Sequence, residues 1–331
     1  MSLLRPSDDA TEAIAQLKTW LAAEDPERLL IETSGSTGLP KRVVLSRDAV
    51  VASVEASARR VGAQGQWLLA LPSSYVAGVQ VICRSLLAGH DPVVVDGLDL
   101  AAAGGGAFTS VVPTQLHRLL EDEHQVAALR SLHTILLGGG PIDPALRGRA
   151  EAAGLHIVAT YGSSETAGGC VYDGMPLDGV ALAIGTDGRV RIGGPTIFEG
   201  YDGDAALTEE TLVDGWFLTS DAGRLDDDGR LHVLGRIDDV VISGGVNVPL
   251  PAVAARLREH PEIEAVEVIG VPDEEWGTRV VAFVVGDGED VRDWVSAVHP
   301  RTWAPQQVVS LPELPLLPNG KVDRQALRSL A

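Results

Sequence analysis

Between Thr33 and Lys41 the chain reads Thr-Ser-Gly-Ser-Thr-Gly-Leu-Pro-Lys. Glycines let such a segment turn sharply and bring backbone N–H groups and hydroxyls up to an anion. Phosphate binding is the chemistry to expect of it, with Thr33, Ser34, Gly35, Ser36, Thr37, Gly38 and Lys41 as the candidate contacts. A P-loop is excluded, because that motif closes on Gly-Lys-Ser/Thr and here Pro40 precedes Lys41 and Arg42 follows it. Four further segments carry reactive side chains. Tyr161-Gly162-Ser163-Ser164-Glu165 offers an aromatic face for a base, hydroxyls for a phosphate and a carboxylate able to hold Mg²⁺. Asp221, in Thr219-Ser220-Asp221-Ala222-Gly223, is read as an aspartate following a strand, where it could accept hydrogen bonds from ribose hydroxyls. Gly235-Arg236-Ile237-Asp238-Asp239 leads into Val240-Val241-Ile242-Ser243-Gly244-Gly245. Near the C-terminus, Lys321 rides on the proline- and glycine-framed run Leu316-Leu317-Pro318-Asn319-Gly320. From there it could reach a site on another domain and neutralise charge developing on a carboxylate and a phosphate.

These residues need elements to hold them. Apolar positions at Ala10, Ile14, Leu17 and Leu21 repeat at helical spacing, predicting a helix over 10–23. Leu29-Leu30-Ile31 is a strand entering the glycine loop and Val43-Val44-Leu45 one leaving it. Ser46 then caps a helix to about Val61. Apolar runs at 67–71, 91–95, 110–112, 134–137 and 156–159 read as buried strands with helices between most of them. That alternation predicts an α/β fold with a mainly parallel sheet. Ligands of such sheets sit in loops past the strands' carboxyl ends, and Gly138-Gly139-Gly140 and the Tyr161 segment are placed there. From Gly185 short strands at 190–192, 215–217, 224–225 and 231–234 alternate with glycine and aspartate turns, predicting a small β-rich subdomain. After Arg236 a new unit begins, with strands at 240–242, 263–271 and 280–285 and helices at 251–260 and 289–298. The expected division is 1–237, with 185–237 as the β-rich part, and a mobile α+β C-terminal domain over 238–331.

The chain has 331 residues, enough for more than one core. With 26 Lys and Arg against 46 Asp and Glu it carries a net charge of −20, which argues against a nucleic-acid partner. The two cysteines, Cys83 and Cys170, form no ligand-like spacing, and a reducing cytoplasm fits them. No apolar stretch reaches the length of a membrane span, and the first nine residues lack the basic-then-apolar order of a signal peptide.

In their order, these segments resemble the adenylate-forming superfamily of acyl-CoA synthetases, adenylation domains of nonribosomal synthetases, and luciferases. The resemblance spans residues 29–324, and Gly270-Val271-Pro272-Asp273-Glu274-Glu275-Trp276-Gly277 is also typical of the acyl-CoA synthetases. It implies that a carboxylate attacks the α-phosphate of Mg·ATP, that an acyl-adenylate and pyrophosphate form, and that the C-terminal domain then rotates so that coenzyme A displaces AMP. By the same resemblance, residues 33–41 would hold the β- and γ-phosphates, and Gly138, Gly139, Gly140 and Tyr161 would enclose adenine. Gly162, Ser163 and Ser164 would line the nucleotide, with Ser164 standing where the family usually has threonine. Glu165 would bind Mg²⁺, Asp221 the ribose, and Arg236 the ribose or phosphate. Asp238 would be the hinge and Lys321 the adenylation lysine. Ser243, Gly244 and Gly245 would lie on the coenzyme A side, although many relatives continue Glu-Asn-Ile where this chain has Val246-Asn247-Val248.

The phosphate motif begins at residue 33, and this compactness resembles the o-succinylbenzoate–CoA ligase branch of the superfamily, as do Val111–Leu120 and Leu71–Gly78. An acyl pocket of Tyr75, Val76, Gly78, Pro113, Thr114 and Gln115 is implied, with Tyr75 where many relatives have histidine. The acid's charge calls for a cation, and Lys41, Arg84 and Arg118 are the candidates. Another aryl- or acyl-CoA ligase, an adenylating enzyme that loads a carrier protein, and a non-catalytic nucleotide-binding module stay open, as does a homodimer. The expected partners are the acid, ATP and coenzyme A.

Overall fold

Four sheets carry the fold in a computed structural model that describes residues 2–33, 41–318 and 320–331. The central sheet has seven strands in the order Met175–Pro176, Gly168–Tyr172, Ile157–Ser163, Thr134–Leu137, Phe108–Val111, Trp67–Leu69 and Val93–Val94. The last five of these run parallel, and the first two turn back antiparallel at one edge. The predicted α/β class is therefore what forms. Its inner strands Thr134–Leu137 and Phe108–Val111 are buried along their whole length, as parallel strands are when both faces are covered.

A smaller sheet orders Leu3–Leu4, Arg28–Thr33, Lys41–Leu45 and Gly200–Tyr201. Thr33 lies opposite Lys41 in its antiparallel ladder, so the two ends of the glycine loop are held side by side. Leu29, Ile31, Val43 and Leu45 of this ladder are fully buried. Helices Ala10–Ala22 and Arg47–Val61 form where helical spacing placed them. Asp9 accepts from the Glu12 N–H, Ser46 accepts from the Ala49 N–H, and Gly62 closes the second helix at φ 77°.

The β-rich sheet differs from expectation in one informative way. The short strands expected at 215–217 and 224–225 are one ten-residue strand, Trp216–Leu225. It pairs with Arg189–Gly193, Leu212–Val213 and Leu231–Arg236. Asp221 thus lies within a strand and not after one. Tyr161, Gly162 and Ser163 likewise belong to the strand Ile157–Ser163, and the turn after it is the short 3₁₀ segment Ser164–Thr166.

The C-terminal sheet holds Val246–Pro249, Val240–Ser243, Gly277–Gly286 and Ile263–Asp273, with Gln307–Ser310 parallel to the Gly277–Gly286 strand. Val280, Ala282 and Val284 face a cluster with Val253 and Leu257 of the helix Leu250–Arg258, while Val281 and Phe283 face Leu327 on the other side. The strand is consequently buried on both faces. The apolar clusters of this unit draw only on residues 241–327. No helix among the described residues is long and apolar enough to cross a membrane.

Candidate active site

Residues from all five sequence segments come together at one site. Gly138, Gly139 and Gly140 follow the strand Thr134–Leu137. A Cβ on Gly138 would lie 2.2 Å from the Thr160 hydroxyl oxygen, so this close approach of neighbouring strand ends requires glycine. Gly139 has φ +83°, and a Cβ there would stand 3.8 Å from Cε of Lys321. The C-terminal lysine therefore lies against the glycine run. Its loop is held by the Leu316–Val322 bridge and by the Leu317 N–H donating to the Lys321 carbonyl at 2.8 Å. The Thr114 hydroxyl donates to the Gly320 carbonyl at 2.8 Å, fastening this loop to residues 206 positions earlier.

The Tyr161 hydroxyl donates to Oδ2 of Asp221 at 2.7 Å. Asp221 stands directly across the ladder from Arg236. Burial raises the pKa of Asp221, against the opposing effects of the Tyr161 hydrogen bond and the Arg236 charge. Burial also raises that of Tyr161, with the Asp221 charge adding to it, so the phenol stays protonated as donor. The Arg236 guanidinium makes a two-pronged pair with Asp238, Nε to Oδ1 at 2.9 Å and Nη2 to Oδ2 at 2.6 Å. The pKa of Lys321 is lowered, mainly by desolvation although the residue keeps solvent access, and further by Arg236. Glu165 and Asp221 act in the other direction.

Ser164 and Glu165 are both 8% exposed. Oε1 of Glu165 accepts from the Tyr201 hydroxyl at 2.9 Å, and the Lys41 ammonium lies 5.4 Å from the centre of the Tyr201 ring. Burial, then the Glu165 charge, pushes the Tyr201 phenol up, so it too stays protonated. No group of three or more His, Cys, Asp or Glu fit to hold a metal by itself occurs among the described residues. A single buried carboxylate suits Mg²⁺, which is bound through one or two carboxylates with substrate phosphates and waters completing its shell.

Several expected residues do other work in this structure. Ser34, Gly35, Ser36, Thr37 and Gly38 lie outside the described residues. Gly162 is packed so closely that a Cβ would sit 2.1 Å from the Gly168 carbonyl oxygen, and Ser163 donates its backbone N–H to Thr166. Gln115 spends both ends of its amide on backbone, accepting from Val112 N–H at 3.0 Å and donating to the Ala70 carbonyl at 2.8 Å. It braces the Pro113 helix start. Gly78 permits contact with the Pro72 carbonyl, 2.1 Å from where a Cβ would stand. Tyr75 and Val76 open the helix Val76–Leu87 and are half-buried. Of the three cations offered for the acid, Arg84 is buried against Trp67 and donates to the Tyr172 hydroxyl, and Arg118 is exposed on its helix. Lys41 alone stands beside the cleft residues. At the end of the segment that carries Arg236, Ser243-Gly244-Gly245 forms the turn between Val240–Ser243 and Val246–Pro249. Gly244 and Gly245 have φ 57° and 79°, the two left-handed positions a tight hairpin needs. Tyr201 and the docking role of Thr114 escaped sequence reasoning.

The family model described as AMP-binding enzyme matches residues 6–201, and that of the AMP-binding enzyme C-terminal domain matches 252–321. A curated relative, a probable 2-succinylbenzoate–CoA ligase of Mycobacterium tuberculosis, is 41% identical over 324 residues, covering 92% of this chain and 84% of its own. Among solved structures, the o-succinylbenzoate CoA synthetase of Bacillus subtilis with its acyl-adenylate intermediate superposes with a TM-score of 0.78 at 28% identity, covering 91% of this chain and 68% of that one. The same Bacillus subtilis enzyme with ATP and magnesium ion gives 0.76 at 27% identity, over 91% and 69%.

Proposed function

The chain belongs to the AMP-binding enzyme family, and on that premise we propose that it joins 2-succinylbenzoate to coenzyme A through an acyl-adenylate, a step of menaquinone biosynthesis. One observation carries the reading at the level of the site. Lys321 is docked against Gly139 by the Thr114–Gly320 hydrogen bond, within the fields of Glu165, Asp221 and Arg236. A cation held there by a separate loop serves the adenylation step and can be withdrawn after it.

In that step the acid's carboxylate oxygen bonds to the α-phosphorus and the bond to the pyrophosphate oxygen breaks. Negative charge gathers on the α-phosphoryl oxygens, and Lys321 and Arg236 supply positive charge where it develops. Tyr161 and the glycine run 138–140 flank the adenine, and Asp221 accepts from the ribose hydroxyls. Thr33 and Lys41 bound the loop that grips the leaving phosphates. Magnesium, when bound at Glu165, neutralises charge on those phosphates. The thiol of coenzyme A then attacks the acyl carbon and AMP leaves. This half-reaction has no need of Lys321, and Ser243, Gly244 and Gly245 take its place after rotation about Asp238. The division at 237/238 is supported by the separate apolar clusters of residues 241–327. The two buried free thiols, Cys83 and Cys170, support placement in the cytoplasm.

The test is a pyrophosphate-release assay over a panel of acids, followed by trapping of the thioester. The expected result is release that depends on 2-succinylbenzoate and a coenzyme A thioester as product. Activity with only fatty or simple aryl acids overturns the substrate, and transfer only to a phosphopantetheinylated carrier overturns the acceptor.

A further inference from the structure

Tyr201 belongs to none of the motifs that point to the chemistry, yet it touches two of the groups they supply. It sits in the short strand Gly200–Tyr201, which pairs antiparallel with Lys41–Leu45, Tyr201 opposite Val43. That places its ring beneath Lys41, whose ammonium is 5.4 Å from the ring centre. Its hydroxyl reaches the other way, to Oε1 of Glu165 at 2.9 Å. The ring is held in turn by Phe198, edge-on at 4.9 Å between centroids, and the Phe198 N–H donates to the Glu165 carbonyl at 2.9 Å. The side chain and backbone of Glu165 are therefore both tied to the segment 198–201.

We propose that Tyr201 is a positioning residue for metal binding: its hydroxyl occupies one oxygen of Glu165 and so presents the carboxylate to the metal through the other oxygen alone. This rests on the reading of Glu165 as the magnesium ligand of an adenylating site. A carboxylate with both oxygens free can chelate a large, loosely coordinated ion such as Ca²⁺, whereas Mg²⁺ demands near-octahedral geometry from single oxygens. Locking one oxygen favours the smaller ion. Groups that orient a metal ligand in this way are worth roughly 10- to 100-fold in metal affinity.

The experiment uses the full chain with a non-hydrolysable α,β-methylene ATP analogue and titrates Mn²⁺, reading free ion by electron paramagnetic resonance. Tyr201→Phe keeps the ring and its contacts with Phe198 and Lys41, and its melting curve serves as the folding control. Its Mn²⁺ dissociation constant is expected to rise about 10- to 100-fold, and competition by Ca²⁺ to strengthen. In a Glu165→Gln background the same change is expected to have little effect. Tyr201→His, which retains a donor, is expected to fall between wild type and Tyr201→Phe. Unchanged affinity in Tyr201→Phe, an equal loss in both backgrounds, or no recovery with histidine overturns the proposal. The readout involves no acid, so failure of 2-succinylbenzoate to release pyrophosphate overturns the functional reading and leaves this one standing. Thioester formation from preformed acyl-adenylate, which needs no metal, is expected to be unaffected by Tyr201→Phe, and a comparable loss there marks a structural role and overturns the assignment.

Discussion

Lys321 holds its charge in surroundings that disfavour it. Desolvation and Arg236 lower its pKa, and Glu165 and Asp221 only partly restore it. Deprotonation on the alkaline side therefore begins below the value of an ordinary lysine, about 10.4. As pH rises the adenylation rate should fall along this limb, while the thioester half-reaction should not. Lys321→Arg, with a guanidinium that stays charged, should remove the limb from the measurable range. Lys321→Ala should lower pyrophosphate release by about 10²- to 10³-fold, the scale of losing one group that stabilises developing charge. It should leave thioester formation from synthetic acyl-adenylate nearly intact, and stopped-flow assays of the two half-reactions check both statements. Asp221 shows the opposite case. Burial raises its pKa, so as pH falls it is protonated sooner than an ordinary aspartate near 3.9. The KM for ATP should climb in that acid range.

Among the elements, the lysine loop depends on one glycine. Gly320 has φ +77°, and a Cβ there would stand 2.7 Å from Cγ2 of Val112. Gly320→Ala adds a left-handed penalty of about 1–2 kcal/mol to that clash, and both act on the docked loop. Adenylation should fall roughly tenfold or more, with the thioester step and the melting temperature little changed. The glycine run and the loop that carries Lys321, which the structure places against each other, stood out in the sequence because each is a contiguous string with its own composition. Tyr201 did not, because its side chain meets Glu165, 36 residues away in sequence, only once Gly200–Tyr201 pairs with Lys41–Leu45. The strand around Asp221 was missed because Thr219-Ser220-Asp221-Ala222-Gly223 lacks apolar alternation, and partners on both sides hold it in the sheet. Gln115 looked like a pocket residue by its place in the chain, and only the structure shows both ends of its amide committed to backbone.

At the scale of the whole molecule, the proposed division leaves two sets of cores that share no residue. Calorimetry should accordingly resolve two unfolding transitions in the free protein. A stable acyl-adenylate analogue, bound where both units contribute, should draw them together. A single cooperative transition in the free protein would count against the division. Asp238→Pro fixes φ near −65° at the hinge and should impair one half-reaction while sparing the other.

The Arg236–Asp238 pair spans Ile237 and ties Arg236 to the residue proposed as the pivot. Both side chains retain substantial exposure, at 34% and 50%, and exposed pairs of this kind contribute only about 0.2–1 kcal/mol. That magnitude is small against the barrier of a turnover and comparable to thermal energy. The pair acts as a detent rather than a lock. In the proposed rotation, breaking it would cost less than about tenfold in rate. Salt, which screens such a pair, should therefore alter the tempo of switching more than the affinity for either substrate.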